Sequence, residues 1–329
     1  MRFLSLLFFA ETAVGSVHDL VIPIQMDSYR NRPIMTGSYE GSDQRFDFVL
    51  DLESNTIYHP DAAWMYHGSL NFFTTTDGEN ENSPVLSIPI PDRFRQREYD
   101  VTYSVGAGFD SDLGRIAGSM MLVPRELPGH RRGFEIIVNP TNPESFCFEN
   151  RILRTNFFPG QTTFHAEVSL RRFDDGSRIA LITGITNRDS TTVAFESSGS
   201  FYLSSLRSDI SLPLPIRRTI ASIIRDAGVR LGTQSRGTTF LGIGCVSIIP
   251  VLPAIEISIM EDGGTVGNLV LNPDDYLTDG MGGLCQIHLD MDERAISDQN
   301  ELSLGRTFFE TLGVFYDYRN RQLGFCDPL

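Results

Sequence analysis

Arg45-Phe46-Asp47-Phe48-Val49-Leu50-Asp51-Leu52-Glu53-Ser54-Asn55-Thr56-Ile57-Tyr58-His59-Pro60 is an apolar strand that ends on a carboxylate, turns, and opens a second apolar run closed by a proline. A carboxylate at the end of a buried strand costs free energy unless it is hydrogen-bonded or used for chemistry. Asp51 is therefore the first residue in need of a role. A second strand-and-turn stretch, Ser200-Phe201-Tyr202-Leu203-Ser204-Ser205-Leu206-Arg207-Ser208, leads through Leu212-Pro213 to Pro215 and the spaced isoleucines Ile216, Ile220, Ile223 and Ile224. That spacing predicts a helix opened by proline and stopped by Gly228.

Around these two stretches the chain of 329 residues is long enough for two domains or lobes. Its net charge of −15 repels phosphate backbones, which argues against a nucleic-acid partner. The basic stretches Arg93-Phe94-Arg95-Gln96-Arg97 and His130-Arg131-Arg132 read as a strand face and a solvated loop. Met1-Arg2, the apolar run Phe3 to Ala10 and the small residues Ala13-Val14-Gly15 predict a secretory signal peptide over residues 1–15. No later apolar run reaches the ~20 residues that span a bilayer. The expected mature protein is a soluble monomer, secreted or vesicular. Its four cysteines, Cys147, Cys245, Cys285 and Cys326, suit an exported chain with two disulfides, for which arithmetic alone leaves three connectivities. They form no C-x-x-C pair, so no zinc is expected, nor any other metal or cofactor.

Strand signals dominate. Val17 to Gln25 alternates, and Ile34 to Phe48 reads as a hairpin broken at Glu40-Gly41-Ser42-Asp43. Two apolar runs between Leu70 and Ile90 flank the turn-rich Asp77-Gly78-Glu79-Asn80-Glu81-Asn82. Phe134 to Val138 and Ser145-Phe146-Cys147-Phe148 are strand-like, with a turn at Asn139-Pro140-Thr141-Asn142-Pro143 between them. The expected fold class is all-β with a few short helices.

This layout resembles the pepsin-like aspartic peptidase family (A1). Asp51, Ser54 and Pro60 match the aspartate, serine and proline of the family's first active-site loop, whose threonine and glycine are replaced here by Leu52 and Glu53. The second stretch follows the order around the family's second loop, which places Ser204 where the second catalytic aspartate belongs, Ser205 at the hydroxyl position and Leu206 at the glycine. A weak internal repeat agrees: Asp51 and Ser204 stand 153 residues apart in comparable contexts. Phe109-Asp110-Ser111-Asp112-Leu113-Gly114 resembles the segment that ends the family's N-lobe core. Cys245, the Leu271-Asn272-Pro273-Asp274-Asp275-Tyr276 element and Cys285 are similar to the family's C-lobe disulfide loop. Closing it contributes about 4 kcal/mol in the chain-entropy model. The ending, from Leu302-Ser303-Leu304-Gly305 to Leu323-Gly324-Phe325, is close to the family's own.

The resemblance implies a bilobal acid-protease fold, two β-barrel-like lobes joined by a central sheet, with an N-terminal lobe over 16–150 and a C-terminal lobe over 151–329. It implies a Cys245–Cys285 bridge, and a Cys147–Cys326 bridge where the two segments share the linking sheet. It also places a substrate-covering flap at the hairpin tip, with Thr76, Asp77 and Gly78 beside Ser54 and Ser205 as binding residues. The family's flap tyrosine is missing from Thr74-Thr75-Thr76.

Aspartic peptidases need two carboxylates sharing one proton, one acting as base on water and the other polarising the scissile carbonyl. Only Asp51 remains of that pair, since a serine at position 204 does not titrate in the working range. A replacement acid, Glu53 or Asp209, would be required for an atypical endopeptidase. A serine nucleophile would need a histidine base held by a third group, and none of the six histidines is singled out by pattern. The expected function is a non-catalytic pseudopeptidase that binds peptide, protein or glycan in its interlobe cleft. An inhibitor-like module acting on another secreted enzyme is the further alternative.

Overall fold

The computed structural model describes residues 20–26, 33–39, 41, 44–52, 56–58, 69–72, 86–89, 118–127, 131–156, 163–171, 182–183, 192–205, 209–233, 239–261, 263–291 and 302–329. The signal-peptide segment 1–15, Glu53, Ser54, the flap residues Thr76, Asp77 and Gly78, the 109–114 segment and Leu206 lie outside these residues.

One six-stranded sheet draws on both ends of the chain. Its strands, in spatial order, are Leu20–Pro23, Arg131–Val138, Ser119–Leu127, Gly313–Asp317, Gln322–Cys326 and Leu153–Asn156. Every neighbouring pair is antiparallel, with Leu20 opposite Val138, Val314 opposite Leu122 and Leu153 opposite Phe325. The strand that holds Asp51, Arg45–Asp51, pairs with Pro33–Tyr39 on one side and Thr56–Tyr58 on the other, in a second sheet. A third sheet orders Ile182–Thr183, Val266–Leu271, Ala254–Met260, Thr163–Arg171, Thr192–Leu203 and Ser303–Leu304. Its last pair is parallel. A fourth, smaller sheet runs Leu231–Thr233, Thr239–Leu241, Cys285–Ile287, Leu277–Asp279. The chain is all-β with few helices, as its alternating patterning requires.

The longest helix among the described residues is Leu214–Asp226, entered from Pro213. Ile216, Ile220 and Ile224 fall on one face and are fully buried, each stabilising by about 1.5–3 kcal/mol relative to exposure. The helix ends where Gly228 takes φ +74° and its N–H bonds the Arg225 carbonyl, a left-handed position that a side chain would disfavour. The short helix Pro273–Tyr276 is fixed at both ends. The Asn272 N–H donates to the Asp275 carboxylate at 2.7 Å, and the buried Tyr276 hydroxyl donates to the Pro253 carbonyl at 2.7 Å.

Cys147 is bonded to Cys326 and Cys245 to Cys285. The strand expected at Ser145-Phe146-Cys147-Phe148 is absent: Pro143–Phe146 and Phe148–Asn150 are single 3-10 turns, and Cys147 between them makes one bridge to Pro328. Pro143 opens the first turn with its fixed φ, and Ser145 bonds back to the Asn142 carbonyl through both its N–H and its hydroxyl. Local turn chemistry outweighs the aromatic strand signal there.

Candidate functional site

The Arg45–Asp51 strand earns its position from Phe48, Val49 and Leu50, all buried, and the chain continues into a buried Leu52. Asp51 is thus the polar end of an apolar element, with its backbone paired to Thr56. The Thr192–Leu203 strand reaches the same region from the third sheet. Leu203 lies opposite Leu304 on the parallel neighbour, and the Ser204 N–H continues the ladder by donating to the Leu304 carbonyl at 2.9 Å.

The two turns meet through one hydroxyl. Ser205 Oγ donates to the Leu50 carbonyl at 2.7 Å and accepts the Leu52 N–H at 2.9 Å, so it holds the residues on both sides of Asp51. Both bonds are buried and span more than 150 positions of sequence. Leu52, at the equivalent place in the first turn, has no polar side-chain atom with which to return them.

Ser204 is 0 % exposed and its hydroxyl has no hydrogen-bond partner among the described residues. Ser303, on the adjacent strand, is in the same condition. A buried hydroxyl without a partner costs about 1–3 kcal/mol. Ser204 therefore supplies no titratable acid and, among the described residues, braces no part of the facing turn. The bracing falls to Ser205.

Among the described residues, His288 is a histidine with side-chain partners. Its Nε2 lies 2.7 Å from Thr278 Oγ1 and its Nδ1 lies 3.4 Å from Asp209 Oδ1. The backbone assembles this group: the Ile210 N–H donates to the His288 carbonyl, and the His288 N–H to the Tyr276 carbonyl. Asp209, considered above as a replacement acid for the dyad, faces this imidazole. Nothing in the sequence flags the trio, because its members lie far apart along the chain and join only when the fourth sheet packs beside the Ile210–Leu289 bridge.

A buried charge pair, Arg171 with Glu256 at 2.6 Å, sits on neighbouring strands of the third sheet. Burial pushes the Glu256 carboxyl above its ordinary value, with Arg171 pulling it back down. Among the described residues no three His, Cys, Asp or Glu side chains are grouped to hold a metal ion. No helix of the described residues is long and apolar enough to cross a membrane.

The four sheets, one of them built from both ends of the chain, and the meeting of the two turns define the class: an all-β protein of the pepsin-like fold. Among solved structures of that fold it is similar to the crystal structure of basic 7S globulin from soybean. The likeness covers 93% of this chain and 96% of that one, at 11% identity and a TM-score of 0.54. No family model matches the sequence. No curated protein matches it either.

Proposed function

We propose that this chain is a secreted, non-catalytic pepsin-like protein, a pseudopeptidase that binds peptide, protein or glycan in the cleft between an N-terminal lobe over 16–150 and a C-terminal lobe over 151–329. The observation that carries the reading is the condition of Ser204. The residue that the resemblance puts at the second dyad position is a fully buried serine, with no carboxyl group to share a proton. The two turns are nonetheless still pinned together by Ser205, as expected where the architecture is kept for binding after the chemistry is lost. The secreted setting is supported by the two disulfides and by the signal-peptide pattern of residues 1–15.

The test is proteolysis. Purified protein should leave denatured globin intact across the acid range and show no tight binding of a statine-type transition-state analogue. Statine-sensitive cleavage that disappears in Asp51→Asn would overturn the reading and restore an atypical endopeptidase.

A further inference from the structure

Thr278 Oγ1 lies 2.7 Å from His288 Nε2, and His288 Nδ1 lies 3.4 Å from the carboxylate of Asp209, five residues past Ser204. We propose that this trio is a nucleophilic site, with Thr278 Oγ1 as the attacking atom, and that it takes small uncharged esters or similar acyl compounds. The proposal is independent of the cleft reading above.

The geometry sets the roles. The Asp209 carboxylate beside Nδ1 favours the tautomer with the proton on that nitrogen, which leaves Nε2 as an acceptor. At 2.7 Å, Thr278 must then be the donor, which is the ground-state arrangement of a hydroxyl waiting for its base. The 3.4 Å separation on the carboxylate side is long, and His288 Nδ1 has no hydrogen-bond partner among the described residues. Such contacts commonly tighten only when the imidazole becomes charged during reaction.

Exposure separates the parts in the sense that chemistry needs. His288 is buried at 8 % exposure, whereas Thr278 is only part-buried, on Leu277–Asp279, the edge strand of the fourth sheet. Leu277, next in the strand and on the opposite face, is buried. The threonine is thus the more exposed partner and the base the more shielded one. The Asp209 carboxylate beside the imidazole disfavours an anionic substrate.

In the step itself, the Thr278 hydroxyl proton passes to His288 Nε2 as Oγ1 bonds to the acyl carbon. The bond from that carbon to the leaving oxygen breaks, and the leaving oxygen takes the proton from Nε2. Water then cleaves the acyl-threonine by the same route in reverse. Asp209 is a positioning residue, its carboxylate beside Nδ1 balancing the imidazolium.

The experiment is covalent labelling of the full disulfide-bonded chain with an ethoxy-fluorophosphonate, which transfers its phosphonyl group to an activated hydroxyl and releases fluoride. The site is mapped by peptide mass spectrometry. The expected result is a label on Thr278 in the wild type, formed faster in Thr278→Ser. His288→Gln should slow it by about a hundredfold or more, and Asp209→Asn by about tenfold or more. A wild-type chain that stays unlabelled at Thr278, or a His288→Gln chain labelled at the wild-type rate, overturns the proposal. The wild-type and Thr278→Ser arms decide the matter even if the histidine variant does not fold.

Discussion

The Ser205 hydroxyl and the Leu52 amide are joined at 2.9 Å, and the same hydroxyl reaches the Leu50 carbonyl, so one side chain holds the turn at Asp51 from across the molecule. The bracing is one-sided because Leu52 cannot reciprocate. Removing Ser205 Oγ takes one hydrogen bond each from a buried N–H and a buried C=O. Ser205→Ala should therefore lower stability by roughly 2–5 kcal/mol, read as a fall in the urea midpoint at unchanged slope, while Ser205→Thr should stay within about 1 kcal/mol of wild type. An alanine variant as stable as the parent would show that the bracing contributes nothing.

Ser204, its neighbour in sequence, should respond with the opposite sign. Its buried hydroxyl lacks a partner among the described residues, so Ser204→Ala should leave stability unchanged or raise it by about 1 kcal/mol. Ser204→Asp buries a carboxylate and should destabilise the chain by several kcal/mol, to order of magnitude. Equal losses from Ser204→Ala and Ser205→Ala in chemical denaturation would contradict the asymmetry between the two hydroxyls.

The Glu256 carboxyl gives a pH signature. Burial raises its native value above the ordinary 4.5, so the folded chain holds this proton more tightly than the unfolded chain does. Its contribution to stability is full below pH 4.5 and is lost as pH rises through the raised native value. Melting temperature measured against pH should fall less steeply in that window for Glu256→Gln than for wild type. Parallel curves would place the carboxyl in an environment no drier than the unfolded state.

Burial also holds the Tyr276 and Tyr316 phenols well above their ordinary value, Tyr276 further restrained by Asp275 and Asp274. Alkaline difference spectra of the native chain should therefore omit these two from the early tyrosinate signal and recover them only on unfolding. Their folded-state values are raised, so stability is retained below pH 10 and declines as pH climbs past it. A native titration that ionises every tyrosine in one early step would contradict their burial.

The two disulfides close loops of different length, 179 residues for Cys147–Cys326 and 40 for Cys245–Cys285. Chain entropy makes the longer bridge stabilise by about 1 kcal/mol more. Paired serine substitutions compared by denaturant unfolding should show that order, and the reverse order would point to native-state packing as the controlling factor.

The strand at Asp51, the helix after Pro213 and the all-β class were legible in the sequence because each rests on local physics: side-chain periodicity, proline's fixed φ, and glycine at a helix end. The pairing of distant turns was legible only as resemblance, through the eroded repeat of Asp51 and Ser204. Sequence misread Ser145-Phe146-Cys147-Phe148, where aromatic residues suggested a strand and Pro143 with Asn142 imposed turns.

Sequence by itself determined that two serines, Ser204 and Ser205, follow the apolar strand ending at Leu203 where the resemblance implies a second carboxylate. Tertiary structure alone decided that Ser204 is sealed and without a hydrogen-bond partner among the described residues, that Ser205 grips Leu50 and Leu52, and that His288 stands between Thr278 and Asp209. Burial and hydrogen-bond partners are set by elements packed from remote parts of the chain. No local pattern encodes which hydroxyl, on folding, meets an amide and which meets none.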